Sequence, residues 1–309
     1  MKAAAQLTPP WRTQRRKRIA RTKIMGDEEL SPADKLKIAA NFIAHAPPGQ
    51  SQRVKETVDT LLDGVPIPPE LMRKLHTTQY LGVKMDDDGR VVLLTPFGEL
   101  PDGSFVDPVG NRSLIIDHFA EKCTGFGALP PDVEAALGAS AAARGSVDKA
   151  MGEYAKNHLP GAAVTTYADA SGTKLTCCMA SLNASLSQYW AGSYRSSWTL
   201  DTSSGALEGS IKCLIHYFED GNVQLDDGAS FKASVDVSGD VGAALAKAVK
   251  AHEAPFMEKL EDIYLNLSKD LLGALRRRLP VTKQKFDWER AGTGGVAKLG
   301  KNLQEMAAK

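Results

Sequence analysis

No H-E-x-x-H helix, P-loop, G-x-G-x-x-G turn or G-x-S-x-G elbow occurs anywhere in these 309 residues. The common zinc-protease, nucleotide-binding and serine-hydrolase chemistries therefore have no sequence basis here. Gly292-Thr293-Gly294-Gly295 has no Lys-Ser/Thr after it and no strand before it, so it reads as a flexible segment and not a phosphate cradle. The six histidines, His45, His76, His118, His158, His216 and His252, are scattered without ligand spacing. His216 lies among aromatic strand neighbours and reads as a core or interface histidine. Cysteine is scarce: Cys123, Cys177, Cys178 and Cys213 include no C-x-x-C pair, which removes a zinc ribbon and a disulfide framework and leaves reduced thiols. No apolar run approaches 18 residues and no secretory signal core is visible. The sequons at Asn111, Asn183 and Asn266 accordingly read as chance matches. Asp86-Asp87-Asp88-Gly89 lacks the remaining ligands of a calcium loop and reads as a solvated hairpin turn. No catalytic residue, metal or cofactor is expected, and no enzymatic activity.

What is present is an ordinary globular composition, 43% hydrophobic and 24% charged. Its near-zero net charge hides an asymmetry. Residues 1–26 hold eight basic residues and no acidic one, which leaves 30 basic against 37 acidic residues for 27–309. The basic arm around Trp11–Lys23 is compatible with a transit peptide, a nuclear signal or an RNA-contacting arm. It also fits a disordered extension upstream of an alternative start at Met25, which is the preferred reading.

Ser31-Pro32-Ala33-Asp34 carries an N-cap, a proline at the first helical position and an acid in the first turn. Leu36, Ala40 and Ile43 follow at helical spacing until Pro47-Pro48-Gly49. A second helix is predicted from Ser51 to Asp63-Gly64 and a third from Pro68-Pro69-Glu70 to about Thr77, giving an antiparallel three-helix bundle over 27–78. From Gln79 the period becomes two. Strands are predicted at Tyr80–Met85, Arg90–Thr95, Ser104–Asp107 and Ser113–Phe119, a small β module over 79–123. Residues 124–145, rich in Gly, Ala and Pro, read as a linker, followed by a short helix over Ser146–Asn157.

A second strand block is predicted at Ala162–Ala168, Lys174–Ser181, Arg195–Asp201, Leu207–Glu219, Asn222–Leu225 and Ser230–Val237. Glu219-Asp220-Gly221-Asn222 makes a hairpin turn that pairs its flanks antiparallel. Bulk on both faces of Leu207–Glu219 predicts cover on both sides. A long helix then starts at Ser238-Gly239-Asp240. Its stripe runs Val241, Leu245, Val249, Phe256, Leu260, Ile263, Leu267, Leu271, Leu275 and Leu279, with a kink rather than a break at Pro255. About 40 residues at roughly 1.5 Å each span ~60 Å, wider than the sheet one such chain can build. The fold class is therefore α+β: bundle, β module, then over 146–279 an antiparallel sheet crossed by one long C-terminal helix, the sheet being completed by a partner subunit.

The end of that helix carries a basic ridge. With Leu275 as zero, Leu271, Leu272 and Leu279 fall within about 60°, while Arg277 lies about 200° away with Arg276 and Arg278 beside it. Pro280 breaks the ladder, and Lys283 and Lys285 follow, interleaved with Phe286 and Trp288. Beyond them, Val296, Leu299, Leu303 and Met306 keep a helical stripe on a segment weakened by Gly292, Gly294, Gly295 and Gly300. Residues 280–309 thus read as a mobile amphipathic tail that orders against a partner.

Ala274-Leu275-Arg276-Arg277-Arg278-Leu279-Pro280 resembles the F-K-A-L-R-R-x-L-P signature of the α subunit of F-actin-capping protein (CapZ), with Leu272-Gly273 where the family has Phe-Lys. Ile215-His216-Tyr217-Phe218-Glu219-Asp220-Gly221-Asn222-Val223 is similar to a second signature, V-H-[FY]-[FY]-E-D-G-N-V, differing only at its first residue. Softer echoes lie at Ile38–Gly49 and Tyr189–Trp198, in the same order.

The resemblance implies an obligate heterodimer with a β subunit of similar fold, sharing one sheet crossed by two antiparallel helices. It further implies calcium-independent capping of actin filament barbed ends in the cytoplasmic, cortical cytoskeleton. Arg277, Lys283 and Lys285 are the implied actin contacts, with Arg276, Arg278, Trp288, Leu299 and Leu303 supporting them. Gly273 stands where a further family lysine is implied. Phosphoinositides are implied to bind Arg277, Lys283 and Lys285, and myotrophin-like inhibitors to cover the same region; no nucleic-acid partner is expected. The alternative is a structural cap on the actin-related filament of dynactin.

Overall fold

The computed structural model describes residues 30–62, 64–218 and 223–266. The basic arm 1–26, the hairpin tip Glu219–Asn222 and the tail 280–309 lie outside these residues. Three helices open the described chain: α1 (Pro32–Ala44), α2 (Ser51–Leu61) and α3 (Pro69–Gln79). The Ser31 hydroxyl accepts a hydrogen bond from the Asp34 N–H, the cap that the sequence signals. Ala39 and Ile43 of α1, Val58 of α2, and Met72 and Leu75 of α3 share one apolar cluster.

A two-stranded sheet, β1 (Leu81–Lys84) with β2 (Val91–Leu94), and a three-stranded one, β3 (Phe105–Asp107), β4 (Arg112–Asp117) and β5 (Lys122–Gly127), follow; both are antiparallel. The Asp86–Gly89 segment turns between β1 and β2, with Gly89 at φ +72° and its N–H on the Met85 carbonyl. The two sheets are joined through a fully buried carboxylate. Asp107 accepts from Arg90 Nη1 at 3.1 Å and Nη2 at 3.2 Å, from Arg112 Nε at 3.1 Å and from the Gly110 N–H at 2.9 Å. Burial pushes its pKa up, but Arg90, the Gly110 N–H and Arg112 outweigh burial and hold it below the usual carboxylate range.

Residues 124–145 are not a linker. They hold the end of β5, all of α4 (Pro131–Ala139) and the start of α5 (Ala141–His158). Composition misleads here because alanine is the best helix former. Pro131 at the first helical position, with Asp132 and Glu134 behind it, is a start signal that outweighs Gly138. The helix expected over Ser146–Asn157 is likewise longer, 18 residues.

The main sheet is a five-stranded antiparallel meander, β6 (Ala163–Ala168), β7 (Lys174–Ser185), β8 (Trp190–Asp201), β9 (Ala206–Tyr217) and β10 (Val223–Ser234). β7 and β8 run longer than their predicted cores because the Tyr189–Trp198 segment continues β8 into a 3-10 turn at Leu186–Gln188. One face packs under α5 and α6 (Val241–Asn266): Leu175, Cys177, Met179, Trp198, Leu200 and Ile211 meet Val147, Met151, Leu245, Val249 and Phe256. At this centre Trp198 pairs in register with Gly209, where any Cβ would overlap the indole ring. The opposite face is covered at β6 and β7, where Tyr167 and Cys178 join Leu93, Val106, Leu129 and Leu137. The expectation that β9 is covered on both sides holds only toward its end. Glu208, Ser210 and Lys212 are exposed between buried Leu207, Gly209 and Ile211, whereas Cys213 to Tyr217 are half-buried or buried.

Replacing Asp107 with alanine leaves two partly buried guanidinium groups without their shared carboxylate. The expected cost is about 3 kcal/mol, read as a fall in the midpoint of thermal or urea unfolding, whereas Asp88→Ala at the exposed end of the same network changes it by under about 1 kcal/mol.

Candidate interaction surface

Helix α6 is set on the sheet at its start and its middle. At the start, the Gly242 N–H donates to Ser146 Oγ of α5 and to Asp240 Oδ1, each at 3.0 Å, and the Ser146 hydroxyl donates to Asp240. A side chain at position 242 would overlap the Ser146 backbone, so glycine permits this close approach. Along the helix Leu245, Val249, Phe256 and Leu260 are buried at the predicted stripe positions. The helix runs through Pro255 without a break.

The stripe contains one residue the apolar register passed over. Glu253 is 3% exposed, four residues after Val249. Its carboxylate accepts from Tyr154 of α5 at 2.7 Å and from Tyr194 of β8 in a shorter contact. Burial raises the Glu253 pKa against the lowering effect of the Tyr194 and Tyr154 hydroxyls. Burial also raises both phenols, with the neighbouring carboxylate adding to it. The three groups tie α5, β8 and α6 to one another inside the core.

The two edges of the meander differ. β6 is met by β2, where the Leu93 N–H donates to Thr165 Oγ1 at 3.1 Å and the Tyr167 hydroxyl donates to the Leu93 carbonyl. On its outer side β10 pairs with no strand among the described residues. Twelve residues at about 3.3 Å each make this edge roughly 40 Å long. Along it Leu225, Ala229, Phe231 and Ala233 are only partly buried, with Val235 beyond. Between β10 and α6 opens a cleft of about 290 Å³ lined by Ala229, Phe231, His252, Pro255, Phe256 and Lys259. Phe231 stacks on Trp198 at 5.6 Å and meets His252 at 5.0 Å. Lys259 reaches across to Asp227 at 3.2 Å. The arrangement is a long strand edge, apolar on the side facing α6, beside an aromatic cleft.

At the near end of β9 a second aromatic group forms. His216 is buried and stacks on Phe218 at 4.9 Å, and Tyr189 meets Phe218 edge-on at 5.9 Å. The histidine thus sits among aromatic neighbours, as read from its strand. The predicted contacts Arg276, Arg277, Arg278, Lys283, Lys285, Trp288, Leu299 and Leu303 all lie outside the described residues, as do the ridge and tail that carry them. No group of three or more His, Cys, Asp or Glu side chains able to hold a metal ion occurs among the described residues, and no described helix is long and apolar enough to cross a membrane.

Comparison with known proteins agrees with this architecture. The family model described as F-actin capping protein alpha subunit matches residues 39–301. F-actin-capping protein subunit alpha of Chaetomium thermophilum is 32% identical over 257 residues, covering 82% of this chain and 91% of the relative. Those of Neurospora crassa and Caenorhabditis elegans are each 30% identical, over 262 and 277 residues, covering 83% and 86% of this chain and 93% and 96% of the relatives. In fold the chain is similar to the homodimeric actin capping protein alpha subunit from Plasmodium berghei, with a TM-score of 0.62 at 18% identity, over 81% of this chain and 98% of that one. The fold is a mixed helix-and-sheet chain whose β10 edge meets no strand among the described residues and whose sheet carries a helix clamped across it. The chain belongs to the F-actin-capping protein α-subunit family.

Glu253→Ala strands two buried hydroxyls, so a loss of about 2–4 kcal/mol is expected. Tyr154→Phe, which leaves the carboxylate one donor, is expected to lose about half as much; both are read from chemical unfolding of the purified protein.

Proposed function

We propose that this chain is the α half of a heterodimeric cap on the barbed end of the actin filament. Family membership across residues 39–301 carries the reading, and the β10 edge, which meets no strand among the described residues, supports the assembly part of it. A partner β subunit of similar fold extends the sheet from β10, its side chains entering the cleft beside Phe231 and Phe256. The three opening helices form an antiparallel bundle against one side of the protomer. Capping is steric and needs neither catalysis nor calcium: the heterodimer covers the terminal actin protomers and blocks both addition and loss of subunits.

Actin is acidic, so cations on the cap speed encounter and oppose release. In the sequence register, Arg277 lies opposite the leucine stripe, flanked by Arg276 and Arg278, and Lys283 and Lys285 follow Pro280. These residues make the charged contact. Trp288, Leu299 and Leu303 supply the apolar foothold of the tail over 280–309. The same cations suit phosphoinositide headgroups, and a myotrophin-like inhibitor would compete by covering them. The basic arm 1–26 is dispensable for capping, and the protein works in the actin cytoskeleton of the cytoplasm.

Two experiments test this. Co-expressed with a β subunit, the chain is expected to elute as a 1:1 heterodimer by light scattering and to aggregate when expressed alone. A stable homodimer, the state of the Plasmodium berghei chain, would replace the β partner with a second copy.

The second experiment is elongation from actin seeds with titrated heterodimer. Exposed charge contacts contribute roughly 0.2–1 kcal/mol each, and hydrogen-bonded pairs buried in an interface about 2–5 kcal/mol. Changing Arg277, Lys283 and Lys285 together to glutamate is expected to weaken capping at least about 100-fold, or 2.7 kcal/mol, with the heterodimer still folded. Capping equal to the parent would remove these residues from the contact.

A further inference from the structure

Two histidines far apart in sequence meet inside the described fold. His76 of α3 and His118 of the β4–β5 turn bring their Nδ1 atoms to 3.1 Å, with exposures of 1% and 8%. At that distance one ring donates and the other accepts, so the contact requires at least one neutral imidazole. Behind His76, its Nε2 is buried and lies 3.6 Å from Glu121 Oε1, beyond hydrogen-bond reach. Glu121 is instead held by Gln52 of α2, whose amide donates to its carboxylate and to the Phe119 carbonyl, each at 3.0 Å. Three elements, α2, α3 and the β4–β5 turn, therefore close on one pair of rings.

We propose that the His76–His118 contact is an acid-operated latch holding the helices α2 and α3 on the three-stranded sheet. Burial, aided by Arg73 and opposed by Asp117, leaves the pair neutral near pH 7. On α3, Arg73 is paired with Glu99 at 3.2 Å and its field opposes a proton on His118. On α2, Lys55 sits over Phe119, 5.1 Å from the ring centroid, and bridges to Asp59. In the turn, the Asp117 carboxylate is occupied by the Phe119 and Ala120 N–H groups. Phe105 of β3 packs its ring against His118 at 5.9 Å and offers no charge. Burial, then the His118 ring, lowers the His76 pKa from 6.5 to about 4; burial, then Arg73, lowers that of His118.

The sign follows from these depressed values. The closed state prefers neutral rings, so its stability is full above about pH 6.5 and is lost as pH falls toward 4. A second proton sets N–H against N–H at 3.1 Å, and the helices part from the sheet while the meander, which holds neither ring, stays closed.

Amide hydrogen exchange of the full chain with its partner subunit, corrected for intrinsic rate, tests the latch at pH 7 and pH 5. Protection over residues 69–79 and 112–127 is expected to fall roughly twentyfold more than over residues 175–200. In a His76→Gln/His118→Gln double variant, whose side chains do not titrate, that extra loss is expected to vanish. Equal loss in all segments, or the same extra loss in the variant, overturns the proposal. Should the variant fail to fold, imidazole proton shifts of the parent decide it. Both rings are expected to titrate below the ordinary histidine value of 6.5, His76 the lower of the two, and an ordinary titration for either one overturns it.

Discussion

The apolar seam between the five-stranded meander and the helix pair α5–α6 is the constraint on which the rest of this molecule depends. Trp198 lies at its centre against Gly209, with Leu175, Met179, Leu200, Leu245 and Val249 fully buried around it. Burying such side chains contributes about 1.5–3 kcal/mol each before entropy is subtracted. Because the seam consumes one sheet face, the other face and the two edges are left for different uses. Near β6 the second face carries the β module, through Tyr167, Cys178 and Leu93. Near β10 that face is solvated, and no strand among the described residues pairs with its outer edge.

That inequality links energetics to assembly. An open antiparallel edge of twelve residues is a hazard for any protein that works alone, because it templates further strands. Natural sheets blunt such edges with bulges, prolines or charges. β10 has an unbroken register with β9 and no proline, and its side facing α6 is apolar apart from Asp227, which Lys259 neutralises. The charges on its other face, Asp226 and Lys232, are paired with Lys212 and Glu208 of β9.

Much of this was legible in the sequence, for a physical reason in each case. Ser31-Pro32-Ala33-Asp34 specifies a helix start through local hydrogen bonding, and the cap forms. The pairing of β9 with β10 follows from turn residues and alternation, and Tyr217 opposes Val223 as that requires. The stripe of α6 follows from leucine spacing. Illegible were the features made by residues distant in the chain. Asp107 with Arg90 and Arg112, Glu253 with Tyr154 and Tyr194, and His76 with His118 are each buried polar groups whose partners come from other elements. No local pattern announces them. Glu253 left one trace, an acid on an apolar stripe, which periodicity treats as an interruption. The 124–145 segment failed differently, since its alanines were weighed as linker composition when their helix propensity decides. The proposed contact residues from Arg276 to Leu303 rest on motif and register alone.

A leucine at position 253 would have buried as much surface, so the carboxylate needs a reason beyond stability. Apolar stripes are tolerant: a helix lying on leucines can slide or roll by a fraction of a turn and repack at modest cost. A carboxylate between two phenols accepts one position, because any other leaves three buried polar groups unpaired. Each residue turns the helix by about 100°, so fixing the phase at Glu253 fixes it for Val249, Phe256 and Leu260 on the same helix. The buried clamp therefore fixes the rotation of the described helix on its sheet. A polar group in the core does for orientation what the leucines do for stability.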